Sequence, residues 1–399
     1  MADQLKECVV VAGTRTATGN FLGTIKDIKA FDMGAVCISK IMAETGVPGE
    51  AIDEVIMGNQ FQAGNQANPS RWAARYGGLP DSVPAFTPMK NCGTGLKAIV
   101  LGAQSIQTGD NSVMIAGGME SMSGCPYYLM DARQGMRMGH GKTVRDGLFE
   151  DGLLDPVVQG HMGLTAENLA EKYKITREEQ DEYALECHHK AEAAWAAGKF
   201  DADIVPLEVP QRRGDPKVFN HDETYRKGLK MEDLVKLKPA FLKGGTVTPG
   251  NASPLNDGAA AVMLMTAEKA KEYGLKPLLR YVGSASAGYD PKLMGYTPVL
   301  AVRKLLKKTG LTLNDIGLIE SNEAFAVQAM TVARELGFDP KKVNVNGGAI
   351  ALGHPTGCTG ARLTVTIGSE MRRRGVKYGL VTLCIGGGLG IAAIYELCE

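Results

Sequence analysis

Short apolar runs alternate with longer segments of helical period along most of the chain. Residues 9–12 (VVVA) and 55–57 (VIM) read as buried strands, because each is apolar throughout and too short for a helix. Residues 31–44 carry apolar positions at helical spacing and end at Gly46, a glycine stop. Residues 96–107 predict a second helix and 112–116 another strand, which runs into GGMESMS at 117–123. Buried strands alternating with helices predict an α/β fold with a largely parallel sheet.

The pattern breaks from about residue 124 to 250. YYLMDARQGMRMGHG (127–141) mixes Met, Tyr and Arg without a period, and 177–199 is strongly helical, with Thr176 and Glu179 spaced as a capping box. Residues 209–239 are polar and irregular. From about residue 276 the α/β pattern returns and echoes the first half. Thr94-Gly95 opens a helix that leads to an apolar strand and Gly117-Gly118, and Thr359-Gly360 opens one that leads to the 379–383 strand and Gly386 to Gly388. We therefore expect two similar α/β halves, residues 1–123 with 251–275 and residues 276–399. An inserted loop domain, 124–250, hangs over the first. Packing the halves together would bring their equivalent loops to one cleft.

Composition narrows the function. Lys+Arg and Asp+Glu balance at 44 each, so no broad positive field holds nucleic acid by counterion release. The Arg212-Arg213 and Arg372 to Arg374 runs read as solvated surface. Eight cysteines without regular spacing do not make a disulfide scaffold, and none forms a CxxC pair or a zinc-like cluster with histidine. No apolar stretch reaches the roughly 18 residues a membrane helix needs. MADQLKECVVVAG has no leader character and YELCE is not a peroxisomal address, so a cytoplasmic protein is expected.

Four residues in glycine-rich settings carry candidate chemistry: Cys92 in NCGTGLKAI, Asn322 in NEAFA, His354 in GGAIALGHPTG and Cys384 in CIGGGLG. A thiol followed by glycines and a helix meets converging N–H groups, and a helix N-terminus depresses a thiol pKa. Two such thiols and a histidine fit one sulfur that takes an acyl group and another that moves a proton. Each residue alone has a plainer reading. Cys92 and Cys384 fit core cysteines, and GTGLKA also matches a dinucleotide turn, although Pro84 and Pro88 interrupt the strand before it. Asn322 fits a helix N-cap. His354, held extended before a proline, reads better as an acid/base group. His188 and His189, on the long polar helix, read as surface groups.

Seven motifs in order, CGTG with LKAI, GGMESM, HMGLTAEN, GNAS with LNDGAA, NEAFA, GGAIALGHPTG and CIGGG, resemble the thiolase family over nearly the whole chain. The resemblance implies that Cys92 carries the acyl group and that His354 activates it. Asn322 would hold a water that completes one oxyanion hole with His354, while backbone N–H groups of Cys92 and Gly386 form the other. Cys384 would move the α-carbon proton. It places Ser253, His161, Met162, Arg226, Ala324 and Phe325 around coenzyme A and its acyl group, with acyl-CoA thioesters as substrates and no permanently bound cofactor or metal. HMG at 161–163 resembles short-chain members, which points to joining two acetyl-CoA into acetoacetyl-CoA. A degradative 3-ketoacyl-CoA thiolase is the alternative, with a β-ketoacyl synthase, a redox thiol protein or an inactive scaffold behind it. The chain departs from the family pattern at Met89, Asn91, Thr94 and Pro254. Tetrameric members use a loop like 127–141, so Arg133, Met136, Arg137 and Met138 point to a homotetramer.

Overall fold

A computed structural model describes residues 5–136, 138 and 143–398 of the chain. The first half contains β1 (Cys8–Arg15), α1 (Ala30–Thr45), β2 (Glu54–Gly58), α2 (Pro69–Tyr76), β3 (Ala85–Phe86), α3 (Thr94–Thr108) and β4 (Val113–Ser121). Helices α4 (Gly163–Tyr173) and α5 (Arg177–Ala196) follow, before β5 (Asn256–Thr266) returns to the sheet. The second half contains β6 (Leu279–Gly288), α6 (Thr297–Thr309), β7 (Ile316–Ser321), α7 (Ala326–Leu336), α8 (Thr356–Arg374), β8 (Tyr378–Ile385) and β9 (Leu389–Leu397).

The strands join in the order β7-β8-β9-β6-β1-β5-β4-β2-β3. Each half repeats one arrangement outward from the seam: its first strand, its last, the one before that, then its second. At the seam β1 meets β6 through only Val9 and Val10, paired with Arg280 and Leu279. The sheet is mixed rather than largely parallel, since only β7–β8, β4–β2 and β2–β3 run parallel. The last strand of each half enters antiparallel beside the first. A buried strand reads as a continuous apolar run in either direction, so pattern alone did not separate the two cases.

Helices α3 and α8 form the middle layer. Leu96, Ile99 and Ala103 of α3 and Ala361, Leu363 and Ile367 of α8 share one core with Val262 and Leu264 on one side and Val381, Leu383 and Ile391 on the other. Helices α1 and α2 cover the outer face of the first half, and α6 and α7 that of the second. Period-two alternation explains how β8 serves two layers: Val381 and Leu383 face α8, while Leu380 faces α6 and α7. The middle helices touch at glycines. A Cβ on Gly95 would lie 2.9 Å from the Ala361 nitrogen, and one on Gly360 would lie 2.4 Å from the Leu96 nitrogen. These are the two glycines that the repeat pairs, and their contact sets the N-termini of α3 and α8 side by side.

In residues 124–250, the Thr176–Glu179 capping box forms as expected. The irregular stretch contains a small hairpin, Leu207–Val209 with Lys217–Phe219. Met130, Met136 and Met138 are exposed, whereas Arg137 and residues 139–141 of the same loop lie outside the described residues.

Candidate active site

Cys92 sits in a single tight turn, Asn91–Gly93, immediately before α3. Asn91 has φ 44°, a left-handed conformation that asparagine tolerates, and its Nδ2 donates to the Gly386 carbonyl at 3.1 Å. That bond ties the Cys92 turn to the CIGGG turn of the other half. Burial pushes the Cys92 thiol up to about 11, against the pull of the Gly386 and Cys92 N–H groups. The thiolate expected from the helix N-terminus is therefore not the resting state. Desolvation outweighs those donors, and the sulfur needs a base.

The His354 ring is held in one tautomer. Its Nδ1 lies 2.7 Å from Thr359 Oγ1, whose own proton goes to the Pro355 carbonyl at 2.9 Å. Thr359 must then accept, so Nδ1 carries the hydrogen and Nε2 keeps its lone pair. Nε2 faces Asn322 Nδ2 at 3.5 Å, and the His354 N–H donates to Asn256 Oδ1 at 2.8 Å. Burial first, and the nearby Arg362 charge second, lower the His354 pKa to about 3. The ring is neutral at working pH. Helix α7 starts at Ala326 with Phe325 as its N-cap, so Asn322 caps nothing and turns toward His354.

Cys384 is fully buried at the end of β8, packed with Phe325 and Met294. Burial, and then the neighbouring Cys92, raise its pKa far above the ordinary thiol value, opposed by its own N–H and that of Ala324. Ala324 is held by Ser253, whose N–H and Oγ both donate to its carbonyl, at 3.0 and 3.1 Å. His161 stacks on Phe241 at 4.5 Å, and its Nδ1 accepts the Gly163 N–H at 3.0 Å.

A cavity of about 100 Å³ collects Cys92, His354, Gly386, His161, Met162, Ser253, Ala324 and Phe325 on its wall. Asn322 and Cys384 stand behind that wall. Arg226 is elsewhere: it lines an adjoining cavity of about 410 Å³, and Ala252, Pro254 and Leu255 border both spaces. His188 lines this second cavity as well and is a correction to the surface reading. It is 5% exposed, accepts the Arg226 N–H at 3.1 Å, and burial lowers its pKa to about 4. The partners that make its burial tolerable lie 38 residues away in sequence, out of sight of helical periodicity.

Sequence reasoning missed Gln60, Phe241 and Met294 on the cavity wall and the buried Glu120 beneath it. For Glu120 a signal was available, since a carboxylate inside GGMESM, next to a buried strand, needs partners.

The site thus sets a cysteine beside a neutral histidine, with a second thiol behind the wall, in one cavity of a duplicated α/β fold, an arrangement suited to an acyl-transferring enzyme. Comparison with known proteins gives the same class. Residues 8–268 match the thiolase N-terminal domain and residues 275–397 the thiolase C-terminal domain. The chain is 54% identical to the acetyl-CoA acetyltransferase of Pseudomonas aeruginosa, across 97% of this chain and 98% of that one. It is 51% identical to the acetyl-CoA acetyltransferase of Cupriavidus necator, across 98% and 100%. Among solved structures, the Bacillus anthracis acetyl-CoA acetyltransferase superposes with a TM-score of 0.96 at 46% identity, covering 99% of this chain and 100% of that one. Human mitochondrial 3-ketoacyl-CoA thiolase in complex with CoA gives 0.95 at 42%, covering 99% of each. The chain belongs to the thiolase family.

Proposed function

We propose that this acyltransferase joins two acetyl-CoA into acetoacetyl-CoA and CoA, and runs the reaction in reverse. One observation carries the reading: the site cavity is small, about 100 Å³, and is lined on its apolar side by Met122, Met162, Phe241, Met294 and Phe325. That space suits an acetyl or acetoacetyl unit beside Cys92 better than an extended acyl chain. Relatives that carry the acetyl-CoA acetyltransferase name, at 51 to 54% identity, support the same choice.

The proposed steps give the residues of the site the roles that the thiolase resemblance implies. His354 Nε2 takes the Cys92 proton, and the sulfur attacks the acetyl carbonyl. The N–H groups of Cys92 and Gly386 hold the oxyanion, an effect worth about 3–4 kcal/mol per donor. CoA leaves as a thiol with the proton from His354. His354 then takes the Cys384 proton. The Cys384 thiolate removes the α-proton of the second acetyl-CoA while the His354 Nε2–H and a water held by Asn322 hold the enolate oxygen. The new carbon–carbon bond releases Cys92 as a thiolate that takes the proton back from His354. A thiol whose pKa is raised by burial makes a strong base once ionised and a ready proton donor in the thiolysis direction. Ser253, His161, Met162, Ala324 and Phe325 would hold the thioester end. Arg226, beside the adjoining 410 Å³ cavity, would meet the nucleotide end of CoA.

The segment 124–250 serves in this reading as the inserted loop domain. Its exposed Met130, Met136 and Met138 support burial between subunits of a homotetramer. Among the described residues no helix is long and apolar enough to cross a membrane. We take the compartment to be the cytoplasm and the pathway to be acyl-CoA and fatty acid metabolism. The test is kcat/KM for acetoacetyl-CoA against a long-chain 3-ketoacyl-CoA. Preference for acetoacetyl-CoA is expected, and preference for the long chain would replace the proposal with a degradative thiolase.

A further inference from the structure

The buried carboxylate of Glu120 takes no part in the steps above, yet it is the most heavily bonded side chain near the site. It is 0% exposed at the end of β4. Its oxygens accept five hydrogen bonds. Three come from its own half: Asn59 Nδ2 at 2.5 Å, the Gln60 N–H at 3.2 Å and the Phe61 N–H at 3.1 Å. Two come from the other half, at the first turn of α8: Thr356 Oγ1 at 2.9 Å and the Gly357 N–H at 2.7 Å. The fit is close, since a Cβ on Gly357 would lie 2.6 Å from Glu120 Oε2. Burial raises its pKa to about 7, and its five donors favour the ionised, acceptor-only form. Aimed at the N-terminus of a 19-residue helix, that form fixes the helix end in place.

The same turn controls His354. Thr359, in that first turn, accepts from Nδ1 and so sets the tautomer and the ring plane. We infer that Glu120 is a positioning residue for the reaction: by anchoring the first turn of α8 to the opposite half, it holds Thr359, and through it the Nε2 lone pair of His354, at the angle that Cys92 requires. The inference rests on the thiolase reading above and names a residue outside it. A rival role has the opposite sign. The negative charge of Glu120 opposes ionisation of Cys92, so if charge were its main effect, removing it would make the sulfur more reactive.

The test compares Glu120→Gln, Thr356→Val and Thr356→Ser with the parent enzyme. Readouts are the rate of Cys92 acetylation by acetyl-CoA in a quenched mass-spectrometric time course, KM for acetyl-CoA, and melting temperature. Glu120→Gln keeps the shape but faces an NH2 group toward donors. We expect acetylation to fall by about 10²-fold, the cost of a small misplacement, with KM changed by less than about twofold. Thr356→Val keeps the volume and loses the bond, and should slow acetylation by about tenfold. Thr356→Ser keeps the bond and should retain the parent rate, an order that a merely space-filling threonine would reverse. If Glu120→Gln does not fold, the Thr356 pair decides alone. A folded Glu120→Gln with unchanged or faster acetylation overturns the inference, as does a Thr356→Ser slower than Thr356→Val. A parent enzyme that never acetylates Cys92 instead contradicts the proposed function, so the two failures are told apart.

Discussion

Replacing His354 by Gln tests whether the base rests neutral. An unfolded imidazole titrates near 6.5, whereas burial and Arg362 lower the folded value to about 3. Between these values the unfolded chain binds a proton that the native site refuses, so stability rises with pH there. The histidine costs nothing above pH 6.5, and its penalty grows as pH falls toward 3. From pH 8 to pH 5 this is about 2 kcal/mol, because each unit below 6.5 is worth about 1.4 kcal/mol. His354→Gln cannot titrate and should lose about that much less over the interval. His188, also lowered by burial, contributes equally to both proteins and cancels. Urea unfolding midpoints of parent and variant at pH 8 and pH 5 measure the difference between slopes, whatever the substitution does at pH 8. Equal losses in the two proteins would show that the His354 pKa is not lowered on folding and that the buried ring is protonated at pH 5, which would refute the reasoning from its burial and Arg362.

Cys384→Ser should still accept an acetyl group on Cys92, yet lose about 10²–10⁴-fold in condensation and thiolysis, together with α-proton exchange of acetyl-CoA in D₂O. Normal exchange would reduce Cys384 to a packing thiol. Gly360→Ala, which drives a methyl against the Leu96 backbone, should lower stability by about 1–3 kcal/mol, read from thermal melts. An unchanged melt would show that the α3–α8 crossing is looser than drawn. Light scattering should give a tetramer, and charged residues at Met136 and Met138 should reduce it to dimers. A monomeric parent protein would refute that assembly.

Most of the candidate site's layout was legible because it is built from local signals. A thiol or imidazole among glycines marks itself in a dozen residues, and Cys92 and His354 stand just before helices as expected, whereas Cys384 is followed by a glycine turn and strand β9 rather than by a helix. The repeat of Thr94-Gly95 at Thr359-Gly360 was readable too, and the contact at these glycines brings the two helix N-termini together. What stayed hidden depends on partners distant in sequence. Strand direction across β1, β5, β6 and β9 is set by pairing rather than by pattern. The GGMES segment read as a loop after a strand but is strand to Ser121, because β5 pairs along its length. On α5, Gln180, Asp181, Cys187 and His188 look solvated by composition and are buried by polar partners, including Asn251 on Asp181 and Glu323 on Cys187. The elevated Cys92 pKa was misjudged for a related reason. The sequence displays the helix N-terminus but not the burial that outweighs it.

The most direct test of the central claim is the mass of the enzyme after brief exposure to acetyl-CoA without free CoA. The account predicts one acetyl group per chain, mapped to the Cys92 peptide, lost on adding CoA, and absent from Cys92→Ala. It also predicts that this acetylation protects Cys92 from iodoacetamide. Acetyl groups spread over several cysteines, or a Cys92→Ala variant that still turns over acetoacetyl-CoA, would contradict it.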